Sequence, residues 1–267
     1  MIPPLNRHTA ALTIAFALSV NAAAGERAFV FSVIPERPAE GRAFVFSEST
    51  VGDPGTSRLV GDGLEQKFGF QARAGKRWTV LASALVPVSA QTRGGTTARA
   101  EALFDVFSHG DAARGVVVAM GGGAQREPGG VNVLLARGVF DLTRARFRTT
   151  ANVVLEKPLA SGRDAVDALT SIGFGWRATD RLDAGLEMLA EDIEGLWDPQ
   201  EAEGGARLML GPSFHYRTTG RIEANLAGGP IVLLRGTKQG SDAVRALGNQ
   251  SGRQSGYVVR ASLTYRF

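Results

Sequence analysis

From residue 42 onward, apolar and polar residues alternate along the chain in runs separated by polar or glycine-rich breaks. The last run shows the pattern most plainly. Tyr257, Val259, Ala261, Leu263, Tyr265 and Phe267 share one face, and Val258, Arg260, Ser262, Thr264 and Arg266 share the other. A period of two belongs to a strand and excludes a helix. The same pattern predicts strands over 42–48, 64–73, 77–88, 98–107, 115–124, 131–140, 146–157, 168–178, 182–191, 205–217, 221–234 and 257–267. Most of these are as long as a tilted strand needs to be to cross a bilayer. The breaks after even-numbered strands are short, and most of those after odd-numbered strands are longer and polar. This sorting predicts an all-β fold, a single antiparallel up-and-down transmembrane β-barrel. About 12 strands are expected, with 10 as the alternative, and the short turns and both ends lie in the periplasm.

The face formed by Tyr257, Val259, Leu263, Tyr265 and Phe267 resembles the C-terminal strand of Gram-negative outer-membrane β-barrels. In that family a terminal Phe preceded by alternating aromatic and aliphatic residues serves as the assembly signal. The resemblance implies a location in the cell outer membrane. It also implies contact with membrane lipid and lipopolysaccharide, and the barrel-assembly machinery as a partner. Residues 201–207 (Glu-Ala-Glu-Gly-Gly-Ala-Arg) and 210–213 (Leu-Gly-Pro-Ser) are similar to a segment of transporter- or porin-like outer-membrane barrels. That likeness names no ligand.

The N-terminus differs in pattern. Arg7 and His8 precede an apolar run, Thr9 to Val20, which ends in Asn21-Ala22-Ala23-Ala24. The run is too short for a membrane helix and reads as a signal peptide over 1–24. Residues 25–41 are expected to form a periplasmic segment ahead of a barrel over 42–267. The hexapeptide Arg27-Ala28-Phe29-Val30-Phe31-Ser32 recurs letter for letter as residues 42–47. Pro35 and Pro38 come after the first copy and argue against a strand there.

Composition narrows the picture further. The chain is 44% hydrophobic, close to an ordinary soluble protein. A barrel has this composition because only alternate residues face lipid. There is no cysteine, which excludes disulfides and thiolate sites. The net charge of +4 is spread along the chain and forms no basic stripe, so no nucleic-acid partner is expected. No metal site and no cofactor are expected. The acidic run over 192–204 lacks the spacing of a calcium loop and reads as a solvated loop.

The polar faces place Glu65, Lys67, Arg73, Glu101, Asp105, Arg148, Glu156, Arg177, Glu187, Arg207, Glu223 and Arg260 toward the lumen, where they form a possible constriction. Charges on the opposite face would meet lipid, at about 2–4 kcal/mol each near the midplane. Both signs occur, so no ion preference follows. The expected function is a narrow channel or transporter for small polar or amphipathic solutes. The alternative is a non-conducting structural barrel, or one that interacts through its loops. A lipid-modifying enzyme is a third reading, based on Ser213 and His215, which lie two apart on one face. That pair lacks the third group that would orient the histidine, so no catalytic residue is assigned.

Overall fold

A computed structural model describes residues 29–33, 43–53, 63–88, 95–110, 114–160, 166–191, 206–219, 221–235 and 255–267. Twelve strands form one closed antiparallel barrel. They are β1 (Ala43–Gly52), β2 (Leu64–Ala74), β3 (Trp78–Pro87), β4 (Thr97–Gly110), β5 (Arg114–Arg126) and β6 (Asn132–Arg144) in the first half. The second half comprises β7 (Phe147–Pro158), β8 (Asp167–Arg177), β9 (Leu182–Glu191), β10 (Ala206–Thr219), β11 (Ile222–Arg235) and β12 (Ser255–Arg266). Each strand pairs with its sequence neighbours, and β12 pairs with β1 in the register Phe44↔Arg266 through Gly52↔Val258. The Phe267 amide donates to the Ala43 carbonyl at 3.0 Å. Closure leaves no strand edge, which a lipid environment demands because an unpaired backbone group there has no water to bond.

The up-and-down order puts the connections after β2, β6 and β8 at one rim. They are short, at 75–77, 145–146 and 178–181. The strand ends that flank the longer connections, such as Gly52 and Leu64 or Pro87 and Thr97, lie at the other rim. Ala145 adopts a φ of 54°, as the tight turn between β6 and β7 requires. The outer wall is apolar and exposed along every strand, from Phe68 and Phe70 on β2 to Leu263 on β12. Aromatic rings cluster toward the short-turn rim. Trp78 meets Phe104 at 5.1 Å, Phe147 stacks on Phe174 at 5.8 Å, and Tyr265 meets Phe267 at 5.4 Å. Amphipathic rings favour the level where hydrocarbon gives way to headgroups, so this ring of aromatics marks one membrane interface.

Several strand ends differ from the sequence expectation. Asp141 to Arg144 continue β6 instead of turning, because Asp141 accepts from Thr150 and Arg148 inside the barrel. His109 lies on β4, which reaches Gly110 with an irregularity between Asp105 and Phe107. Gly121, Gly122 and Gly123 sit within β5 rather than at its end. A Cβ on Gly121 would fall 1.9 Å from the Ala102 carbonyl oxygen, so the wall approaches too closely there for any side chain.

The repeated hexapeptide adopts two structures. Ala43 to Ser47 of the second copy form the start of β1, whereas Phe29, Val30, Phe31 and Ser32 of the first copy lie inside the barrel. This corrects the expectation of a periplasmic segment over 25–41 as far as residues 29–33 are concerned. The rest of that segment and the signal over 1–24 lie outside the described residues. The residues just beyond each copy explain the choice. Glu48 and Thr50 stand after the second copy at the positions where Val33 and Pro35 stand after the first. Glu48 takes Lys67 at 3.1 Å, and Thr50 accepts from Arg260 at 2.7 Å. A strand built from the first copy would lose both contacts and place a proline in the ladder.

Candidate functional site in the barrel lumen

The alternation that turns Phe68 and Leu263 outward turns charged and small residues inward, where three groups of contacts line the lumen. The first runs over β4 to β7. Arg137 grips Glu101 with two bonds, at 2.7 and 3.0 Å, and donates to the Asn152 side-chain Oδ1 at 3.1 Å. Arg99 adds a bond to Glu101 at 2.7 Å and one to Glu156 at 2.9 Å. Bidentate arginine–carboxylate pairs of this kind are both strong and directional.

The second group lies toward the short-turn rim. His215 is buried between two carboxylates, with Nδ1 at 3.1 Å from Asp183 and Nε2 at 3.2 Å from Glu223. Arg217 donates to Asp183 at 2.8 Å, Arg177 approaches it at 3.7 Å, and Arg266 bonds Glu223. Both ring nitrogens of His215 thus face acids rather than Ser213. Nearby, Arg73 pairs with Asp105 at 2.7 Å and Arg148 with Asp141 at 3.0 Å. The third group joins Lys67, Glu48, Thr50 and Arg260 on β1, β2 and β12.

The residues expected to line the lumen fall into several clusters of contacts. Lys67 and Arg260 meet at Glu48; Glu101 and Glu156 meet through Arg99; Arg73 meets Asp105. Arg148 joins Asp141, Arg177 joins Asp183, and Glu223 joins His215 and Arg266. Glu65 is buried on β2, and Arg207 lies on the same face of β10 as Met209. Sequence reasoning missed Arg137 and Asp141, which organise the β4–β7 side. It also missed an apolar component of the lumen. Leu189, Met209, Ile231 and Val258 form one buried patch on β9 to β12, and Leu103, Ala119 and Val139 form another on β4 to β6.

Residues 29–33 sit between these patches. The Val30 and Phe31 amides both donate to the Glu187 carboxylate, at 3.0 and 2.7 Å. Ser32 bonds Ser171 at 3.0 Å. Val33 makes a two-way contact with Asn152, its amide donating to Oδ1 at 3.2 Å and its carbonyl accepting from Nδ2 at 2.9 Å. The side chains diverge. Phe29 lies against Gly173 and Gly175 of β8, Phe31 packs on the Leu189 patch with Arg260 4.7 Å above its ring, and Val33 packs on the Leu103 patch. On the short-turn side of Phe29, a cavity of only about 20 Å³ remains between Thr143, Arg148, Asp183, Ser213 and His215. That is room for a water molecule or so.

A closed up-and-down barrel with an apolar outer wall and a largely polar lumen is a porin-like outer-membrane β-barrel in fold. The chain is similar to the NanC porin in a rhombohedral crystal form, with a TM-score of 0.55 at 7% identity over 84% of this chain and all of that one. It is likewise similar to the KdgM porin, with a TM-score of 0.50 at 9% identity over 84% of this chain and 99% of that one. No protein-family model matches the chain, and no curated protein sequence matches it closely.

Proposed function

We propose that the protein is an outer-membrane channel for small polar or amphipathic solutes, closed in this conformation by residues 29–33. One observation carries the reading: residues 29–33, which belong to no strand, run inside the barrel and bond the inner-wall side chains of Glu187, Ser171 and Asn152. A barrel designed as a solid plug would close with its own wall, as narrower barrels do. The solute class follows from the lining, which sets a ladder of arginines and carboxylates opposite an apolar patch. The likeness to NanC and KdgM porins supports the same reading.

The test is planar-bilayer conductance of the refolded chain from residue 25, compared with the same chain lacking 25–34. The longer form is expected to be almost silent, and the shortened form to open steadily. A shortened form that is folded and heat-modifiable yet silent would instead favour a structural or loop-acting barrel. The loops over 192–204 and 236–254 that such a role would use lie outside the described residues.

We also propose that Tyr257, Val259, Leu263, Tyr265 and Phe267 form the recognition face for barrel assembly. Tyr257, Val259, Leu263 and Tyr265 are exposed on the outer wall of β12, available to a partner before closure. Removing Phe267 should lower the amount of heat-modifiable protein in the outer membrane while leaving detergent refolding intact. Equal loss in both settings would mean that Phe267 acts on stability alone.

A further inference from the structure

Resting on the channel reading, we infer that the lumen contains a binding site for short aromatic peptides, and that residues 29–33 are its resident occupant. The wall recognises the segment mainly through its backbone. Glu187 accepts two successive main-chain N–H groups, and Asn152 satisfies both the N–H and the C=O of a third residue. These two side chains are about 1% exposed, so the recognition takes place out of bulk water. Carboxylate bonds to amides are charge-assisted, and they gain strength in such a setting. None of them depends on which side chains the peptide carries.

Side-chain selection comes from the spaces around this frame. Gly173 lacks the Cβ that would stand 2.5 Å from the Phe29 ring, so the β8 wall carries a notch shaped for a phenyl group. Two residues on, Phe31 meets an apolar floor beneath the Arg260 guanidinium, a pairing that favours an aromatic over an aliphatic side chain. Two residues further, Val33 meets a smaller apolar patch. The site therefore suits a peptide with aromatic groups at alternate positions and then a branched aliphatic residue. Nothing in these contacts requires the ligand to be joined to β1. The matching residues in β1 are held by strand ladders and by different side chains, with Gln66 donating to Ser47 and Lys67 over the Phe46 ring, so the lumenal contacts are specific to this site.

The test uses the chain from residue 25 with 25–34 removed, refolded in micelles and in planar bilayers. The probe is the synthetic heptapeptide Arg-Ala-Phe-Val-Phe-Ser-Val, fluorescently labelled for binding and unlabelled for channel block, with a scrambled heptapeptide as control. The cognate peptide is expected to bind and to interrupt current reversibly, and the scrambled one to do neither. Glu187→Gln should weaken binding about tenfold by removing charge-assisted bonds. Asp180→Asn, in the exposed turn between β8 and β9, should leave it unchanged. A conducting barrel that binds neither peptide, or both equally, overturns the site while leaving the channel reading intact. A silent barrel that still binds the cognate peptide in a Glu187-dependent way supports the site and overturns the channel.

Discussion

Gly173→Ala is expected to open the barrel without weakening it. The new methyl would lie 2.5 Å from Cδ1 and 2.7 Å from Cε1 and Cγ of Phe29, so the ring must leave its notch. Overpacking of this kind costs about 1–3 kcal/mol. Because the crowded partner belongs to a separate segment, that cost falls on the closed state and not on the strand ladder. At about 1.4 kcal/mol per factor of ten, the ratio of open to closed channels should rise roughly 5- to 140-fold. Gly185→Ala is the control. Its Cβ would meet the Phe174 backbone carbonyl at 2.1 Å, so the strain there falls on the β8–β9 ladder itself. The control should unfold more readily and show no selective opening. Single-channel open probability and heat modifiability, measured on both variants, separate the two effects. If Gly173→Ala lowers stability as much as Gly185→Ala and stays closed, Phe29 is part of a permanent core.

The outer wall of this protein was legible in its sequence, and the reason is physical. A lipid-facing residue meets one solvent regardless of its neighbours, so Phe147, Val153, Leu155, Phe174 and Trp176 declare their face individually. The strand count came from that alternation. The inner wall obeys no such rule, because its residues answer to partners on other strands. Val133, Leu135 and Val139 face inward while Leu134, Leu142 and Phe140 face out, so β6 is apolar on both sides and its period is faint. Arg137 was the available signal, since a lone arginine in such a run cannot face lipid. Asp141-Leu142-Thr143-Arg144 has the composition of a turn, and only Thr150 and Arg148 make Asp141 a strand residue. The lumenal segment was the least legible feature. Phe29 to Val33 have no strand of their own, and their hydrogen-bond partners lie 119 to 157 residues away along the chain. The shared Phe-Val-Phe-Ser of the two copies, at 29–32 and 44–47, takes two different structures, so local propensity does not decide between them. Glu48 and Thr50, outside the repeat, do.

Glu101→Leu is expected to be the most destabilising single substitution on the inner wall. Glu101 receives two bonds from Arg137 and one from Arg99, and its side chain is 4% exposed. Its removal leaves two guanidinium groups facing a leucine in a nearly dry site. Breaking a buried ion pair from one side costs about 3–5 kcal/mol, chiefly because the remaining charge is stranded. Arg99 keeps Glu156 and Arg137 keeps Asn152, which places the expected loss near the lower end, about 3 kcal/mol. Glu156→Leu should cost much less, about 1 kcal/mol or under, because Glu156 and Arg99 are each 18% exposed and water can replace the missing partner. The double variant Glu101→Leu, Arg137→Met should recover part of the loss, since an apolar pair of similar volume no longer strands a charge. Equilibrium urea unfolding of the refolded barrel, with all three variants at one pH, reads these differences directly. Equal midpoints for Glu101→Leu and Glu156→Leu would mean that water reaches the β4–β7 wall despite its burial. The ladder would then be a hydrated surface facing an open lumen, and the segment over 29–33 a loose lid. A large gap with partial rescue would mean that the wall is dry, and that the channel can open only by moving the segment as a unit.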